Sequence, residues 1–143
     1  MSLDLNTLET SFDLIAPRGE ELVDDFYTRL FETAPAVQPL FANTDLRKQK
    51  AMLLATLVLL RKSLRDLESI APKLRQLGAR HVAYGALPEH YPVVAEVMLA
   101  SMAQIAGDAW TQDIETAWAR ALGLVATAML EGAAEAQAEE LAA

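Results

Sequence analysis

Apolar residues recur three or four positions apart in every segment of this 143-residue chain, and the two-residue alternation of a half-buried strand is never sustained. An all-α fold follows. Leu5, Leu8, Phe12 and Ile15 make one buried stripe between residues 3 and 15, and Leu22, Phe26, Leu30 and Phe31 make the next, with Tyr27 on its flank. Pro17 suits a first helical turn. Ala34-Pro35 breaks the second helix, because the residue before a proline avoids the α region. A short turn-like helix from Pro35 to Leu40 then delivers Phe41. Asn43 or Thr44 is expected to cap the following helix, with Asp45 in its first turn and its end near Leu64.

Along that helix Gln49, Leu53, Leu57 and Leu60 share a face, so one amide stands at the mouth of an apolar wall. Leu67 and Ile70 anchor a connector, and Pro72 opens a shorter helix carrying Leu74, Leu77 and His81, which Gly85 caps. Pro88 and Pro92 bracket a further start whose face is Val94, Val97, Met98 and Met102. After a turn at Gly107-Asp108, a last long helix begins near Thr111 and carries Ile114, Trp118, Leu122, Val125 and Met129. Beyond Gly132 only Ala, Glu, Gln and Leu remain, and fraying is expected from about residue 136. No internal repeat or second domain is visible. Residues 1–143 are expected to form one domain, long enough to bury about two-thirds of the unfolded surface.

Charge narrows the function classes. Twelve basic against twenty acidic residues give a formal charge of −8, and the densest basic run is only Arg47-Lys48 with Lys50. Such a chain has no footprint for nucleic acid, where clustered Lys and Arg displace counterions, or for anionic membranes. The longest apolar run, Ala51 to Leu60, is too short to span a bilayer and is followed at once by Arg61-Lys62. The start Met1-Ser2-Leu3-Asp4 lacks the features of a signal peptide, so the expected address is the cytoplasm. Cysteine is absent, which excludes disulfides and thioether attachment of a prosthetic group.

Two histidines remain as candidate ligands. Spacing puts His81 on the face of Leu74 and Leu77, where it is as readily a core histidine bonded to a backbone carbonyl. His90, beside Pro92, reads as an exposed or capping residue. Tyr27 alone reads equally as an interfacial aromatic, Gln49 as a solvent-facing residue, and Phe41, Leu53, Leu57, Val94 and Met98 as plain core.

Their order is more specific than any of them singly. Phe26-Tyr27, Pro35, Pro39-Leu40-Phe41, Gln49, Leu77-Gly78-x-Arg80-His81, Tyr84-Gly85, His90-Tyr91-Pro92 and Ala117-Trp118 together resemble a single-domain bacterial haemoglobin, similar to the globin part of flavohaemoglobins, over about residues 3 to 131. The resemblance implies a globin fold of seven or eight helices at steep crossing angles around one non-covalent haem b. It assigns the iron to His81. Tyr27 and Gln49 become distal donors to a bound diatomic gas. Phe41 would lie on the macrocycle, with Leu53, Leu57, Val94 and Met98 as pocket walls and Tyr91 bonded to the proximal imidazole.

One departure stands out. Where flavohaemoglobins carry a glutamate on the last helix, this chain has Ala133, and Glu131 points about 200° away around a helix. That weakens electron push on the iron and favours simple reversible binding of dioxygen, NO and CO, while the Tyr27–Gln49 pair implies high oxygen affinity. Nitric oxide dioxygenation is the enzymatic alternative. No Gly-rich phosphate loop follows a strand here, so that reading needs a separate reductase. A non-catalytic gas-sensing or interaction module is the third. A monomer or weak homodimer is expected.

Overall fold

The computed structural model describes residues 3–142. Six α-helices run in order: α1 Leu5–Ile15, α2 Gly19–Thr33, α3 Leu46–Lys62, α4 Ala71–Ala83, α5 His90–Ala106 and α6 Gln112–Ala142. Four 3-10 segments join them, at Ala16–Arg18, Pro35–Phe41, Leu67–Ser69 and Gly107–Ala109. The expected seven or eight helices thus resolve into six plus short 3-10 turns. Segments of three to seven residues holding Pro17, Pro35 or Gly107 cannot propagate i to i+4 bonding far enough to stand as α-helices.

Local chemistry accounts for most boundaries. The Asp4 carboxylate accepts from the Thr7 N–H at 3.2 Å and from its hydroxyl at 2.6 Å, capping α1. The α3 cap is Asp45 itself rather than Asn43 or Thr44: its Oδ1 accepts from the N–H groups of Arg47 at 3.0 Å and Lys48 at 3.4 Å. Gly85, at φ 91°, ends α4 in the left-handed conformation that favours glycine. His90 is the first residue of α5 and takes the Leu87 N–H of the preceding loop on Nδ1 at 3.0 Å. The Thr111 hydroxyl accepts from Ile114 N–H at 3.2 Å and opens α6. That helix is continuous to Ala142, through the stretch from about residue 136 where fraying is expected, because Ala, Glu and Gln are strong helix formers.

The core sits where α1, α2, α5 and α6 meet. Leu8, Phe12, Ile15, Leu22, Met102 and Trp118 are fully buried there, and the Phe12 and Trp118 rings lie 5.9 Å apart. A polar thread runs through it. The Ser11 hydroxyl donates to the Thr7 carbonyl at 2.6 Å and accepts the Trp118 indole N–H at 2.9 Å. At the rim, Arg61 and Arg65 of the α3 end bind Glu9 and Asp13 of α1. Arg18 donates to the Ile105 carbonyl at 2.9 Å, tying the α1–α2 corner to the end of α5. The helix α4 packs chiefly on α6, whereas α3 leans on α2 and α1. Consequently α3 and α4 form two walls that are not packed on each other.

Candidate ligand cleft

Between those walls lies a cleft of about 240 Å3 that brings Gln49 of α3, His81 of α4 and Phe41 together. Each arrives by a different local device. The 3-10 segment after Pro35 carries Phe41, the Asp45 cap starts α3 one turn before Gln49, and His81 stands near the end of α4.

The chemistry at His81 is specific. Its Nδ1–H donates to the Leu77 carbonyl, one turn back, at 2.7 Å. With Nδ1 so committed, Nε2 is the ring nitrogen left with a lone pair. The Tyr84 ring meets the imidazole edge-on, with centroids 5.4 Å apart. The expected bond between Tyr91 and the imidazole is not formed, because Leu77 already takes the Nδ1 proton. The Tyr91 hydroxyl is buried without a partner among the described residues, and burial pushes its pKa up. Glu131 faces elsewhere, paired with Arg75 at 3.2 Å.

On the opposite side Tyr27 is only 5% exposed, boxed by Phe26, Phe31 and Phe41 with centroids 5.0, 6.1 and 5.7 Å away. Burial raises its phenol pKa. The nearby Gln49 amide works in the other sense, although the two do not close a hydrogen bond of full geometry. Tyr27 therefore keeps its proton and is a donor. Leu57 and Met98 are buried in the core, Leu53 is half-buried, and Val94 is exposed. The cleft lining itself reaches none of Tyr27, Leu53, Leu57, Tyr91, Val94 or Met98.

Leu40, Thr44, Met52, Tyr84 and Ala86 also line the cleft, and none of them is marked as a site residue by the sequence. For Met52 a signal existed, since it lies three residues after Gln49 on the same helical face. Leu40, Met52 and Tyr84 are 39, 54 and 54% exposed, so the cleft has an apolar rim open to solvent. Two unpacked walls, an apolar rim, an aromatic edge and one imidazole with its lone pair free suit a flat apolar group carrying a metal. The residues present fit a haem.

The Globin family matches residues 24–129. The chain is 33% identical over 133 residues to a flavohemoprotein of Bacillus subtilis, covering 90% of this chain and 33% of that protein. It is 31% identical over 115 residues to one of Rhizobium meliloti, covering 79% and 28%. It thus spans about a third of the length of these relatives. Among solved structures, a bacterial globin from Campylobacter jejuni superposes with a TM-score of 0.80 at 22% identity, over 92% of this chain and 94% of that one. A Pseudomonas aeruginosa protein described as structurally highly homologous to a human hemoglobin gives 0.77 at 25% identity, over 90% and 96%. By family match, relatives and fold together, the chain belongs to the globin family.

Proposed function

We propose that the protein holds haem b non-covalently through His81 and binds dioxygen, NO and CO reversibly. The observation that carries this reading is the His81 ring, its Nδ1–H fixed by Leu77 and its Nε2 free, facing Gln49 across an apolar cleft. Haem, when bound, supplies the iron at which a diatomic gas is held. The chain's own residues do the rest. The carbonyl of Leu77 fixes the tautomer and orientation of the imidazole and raises its basicity. Phe41 would pack on the macrocycle. Tyr27, kept protonated by burial, and the Gln49 amide would offer donors to the polar end of the ligand.

A neutral imidazole that shares its proton with a carbonyl favours holding a ligand over activating it. In the same reading the protein is a cytoplasmic monomer or weak homodimer; the dioxygenase alternative would need electrons from a separate reductase. No described helix is long and apolar enough to cross a membrane. Titration with haemin followed by absorption spectra under oxygen and CO tests the whole. Wild type should develop a Soret band that shifts with each gas, and His81→Leu should lose it. Tyr27→Phe should speed oxygen dissociation about 10- to 100-fold, the cost of one hydrogen bond to a charged acceptor. A chain that stays colourless with haemin refutes the reading. Sustained NO consumption with an added reductase would make the protein an enzyme.

A further inference from the structure

Two glycines face each other's helices where α4 meets α6. A Cβ built on Gly78 would land on the carbonyl of Met129, and one on Gly132 would land on the carbonyl of Arg75. The contacts are reciprocal: three residues forward along α4 correspond to three residues back along α6, so the helices run antiparallel and touch backbone to backbone. At such distances Cα–H groups meet carbonyl oxygens directly. With a Cβ on Gly78, the Met129 carbonyl oxygen would stand far inside van der Waals contact of it, and the helices would have to part by about 1.5 Å to reach ordinary contact. The obstacle is backbone on both sides, so no rotamer change relieves it. Since α4 packs chiefly on α6, this notch sets where α4 lies. His81 is three residues, about one turn or 4.5 Å, past Gly78 on the same helix.

We infer that Gly78 and Gly132 are positioning residues for the proximal ligand: their backbone notch docks α4 on α6 and holds His81 at its working height before any haem arrives. The inference rests on His81 as the iron ligand. Glycine inside a helix is unfavourable relative to alanine, and the close approach is what the two positions gain in return. The same helix supplies the control, because a Cβ on Gly123 meets nothing within 4 Å.

The test reads the iron–imidazole stretching band of the ferrous protein by resonance Raman. Gly123→Ala should match wild type. Gly78→Ala and Gly132→Ala should each shift the band to lower frequency and speed haem loss to an excess of an apoprotein acceptor about 10- to 100-fold, the range for losing a group that orients a metal ligand. In a His81→Gly background with added imidazole the ligand is no longer tethered to α4, and the glycine substitutions should leave the band unmoved. A folded Gly132→Ala protein with the wild-type band overturns the inference, as does a shift that persists with untethered imidazole.

Should neither alanine variant fold, amide hydrogen exchange on the wild-type chain decides the question. Residues around 75–82 and 125–132 should be protected together with and without haem. Rapid exchange in α4 of the haem-free chain, with α6 still protected, overturns the inference. That exchange experiment needs no haem uptake, so failure of the haem reading would be seen separately as a colourless protein.

Discussion

Removing the Ser11 hydroxyl should unsettle the centre of the fold, and the structure sets the size of the effect. Ser11 is 4% exposed and Trp118 is fully buried. The indole N–H is a donor with a single partner, the Ser11 hydroxyl at 2.9 Å. Ser11→Ala leaves that N–H bare in an apolar surrounding, at a cost of about 1–3 kcal/mol. Better helix propensity returns about 0.5 kcal/mol, so the net loss should be about 0.5–2.5 kcal/mol, centred near 1.5. For a chain of this length that is a fall in Tm of about 5 °C. Urea unfolding should show the same loss at unchanged slope.

Trp118→Phe removes the donor as well. Within that background Ser11→Ala should cost almost nothing, giving a coupling of about 1.5 kcal/mol. An unchanged Tm in the single variant would refute the reasoning, and so would a cycle additive to within about 0.3 kcal/mol.

Two predictions concern pH. Hydrogen bonds from Arg65 and Arg61 hold the Glu9 and Asp13 carboxyls below their ordinary values of 4.5 and 3.8. Depressed carboxylates add stability that is present above the unfolded pKa and lost as pH falls through the folded one. Melts taken from neutral pH down through the carboxylate range should show Tm dropping in wild type and dropping less in Arg61→Gln/Arg65→Gln; equal slopes would dismiss the network. Burial raises the Tyr27 phenol above its ordinary 10.0, so its contribution is intact below that pH and lost as pH rises further. Tyr27→Phe should therefore flatten the alkaline decline in Tm above about pH 10.

The helices were legible because their apolar spacing is uninterrupted, and Pro72 and Gly85 marked the ends of α4 correctly since each acts through its own backbone. The α3 cap was misplaced by one or two residues: Asn43, Thr44 and Asp45 are all capping types, and only the observed turn chooses among them. The family was readable from the ordered motifs. The Leu77 carbonyl that holds the imidazole was not, because a backbone acceptor leaves no mark in side-chain identity. Gly78 and Gly132 looked unremarkable 54 positions apart, and nothing local reveals that each Cα meets a carbonyl of the other helix. Leu40 and Tyr84 were visible as motif residues, yet their place on the cleft rim depends on the unpacked walls of α3 and α4.

The bond from Trp118 to Ser11 joins residues 107 positions apart, and the bond from Arg18 to the Ile105 carbonyl joins residues 87 apart. On a ribosome adding about 5–20 residues per second, the partner of α1 therefore emerges some 5 to 20 seconds after α1 itself. Throughout that interval Leu8, Phe12 and Ile15 have no α6 to cover them, and an eleven-residue helix is marginal alone even with its Asp4 cap. The nascent chain carries an exposed apolar stripe until α6 is made, which makes α1 the natural target for a chaperone and α6 the step that commits this fold.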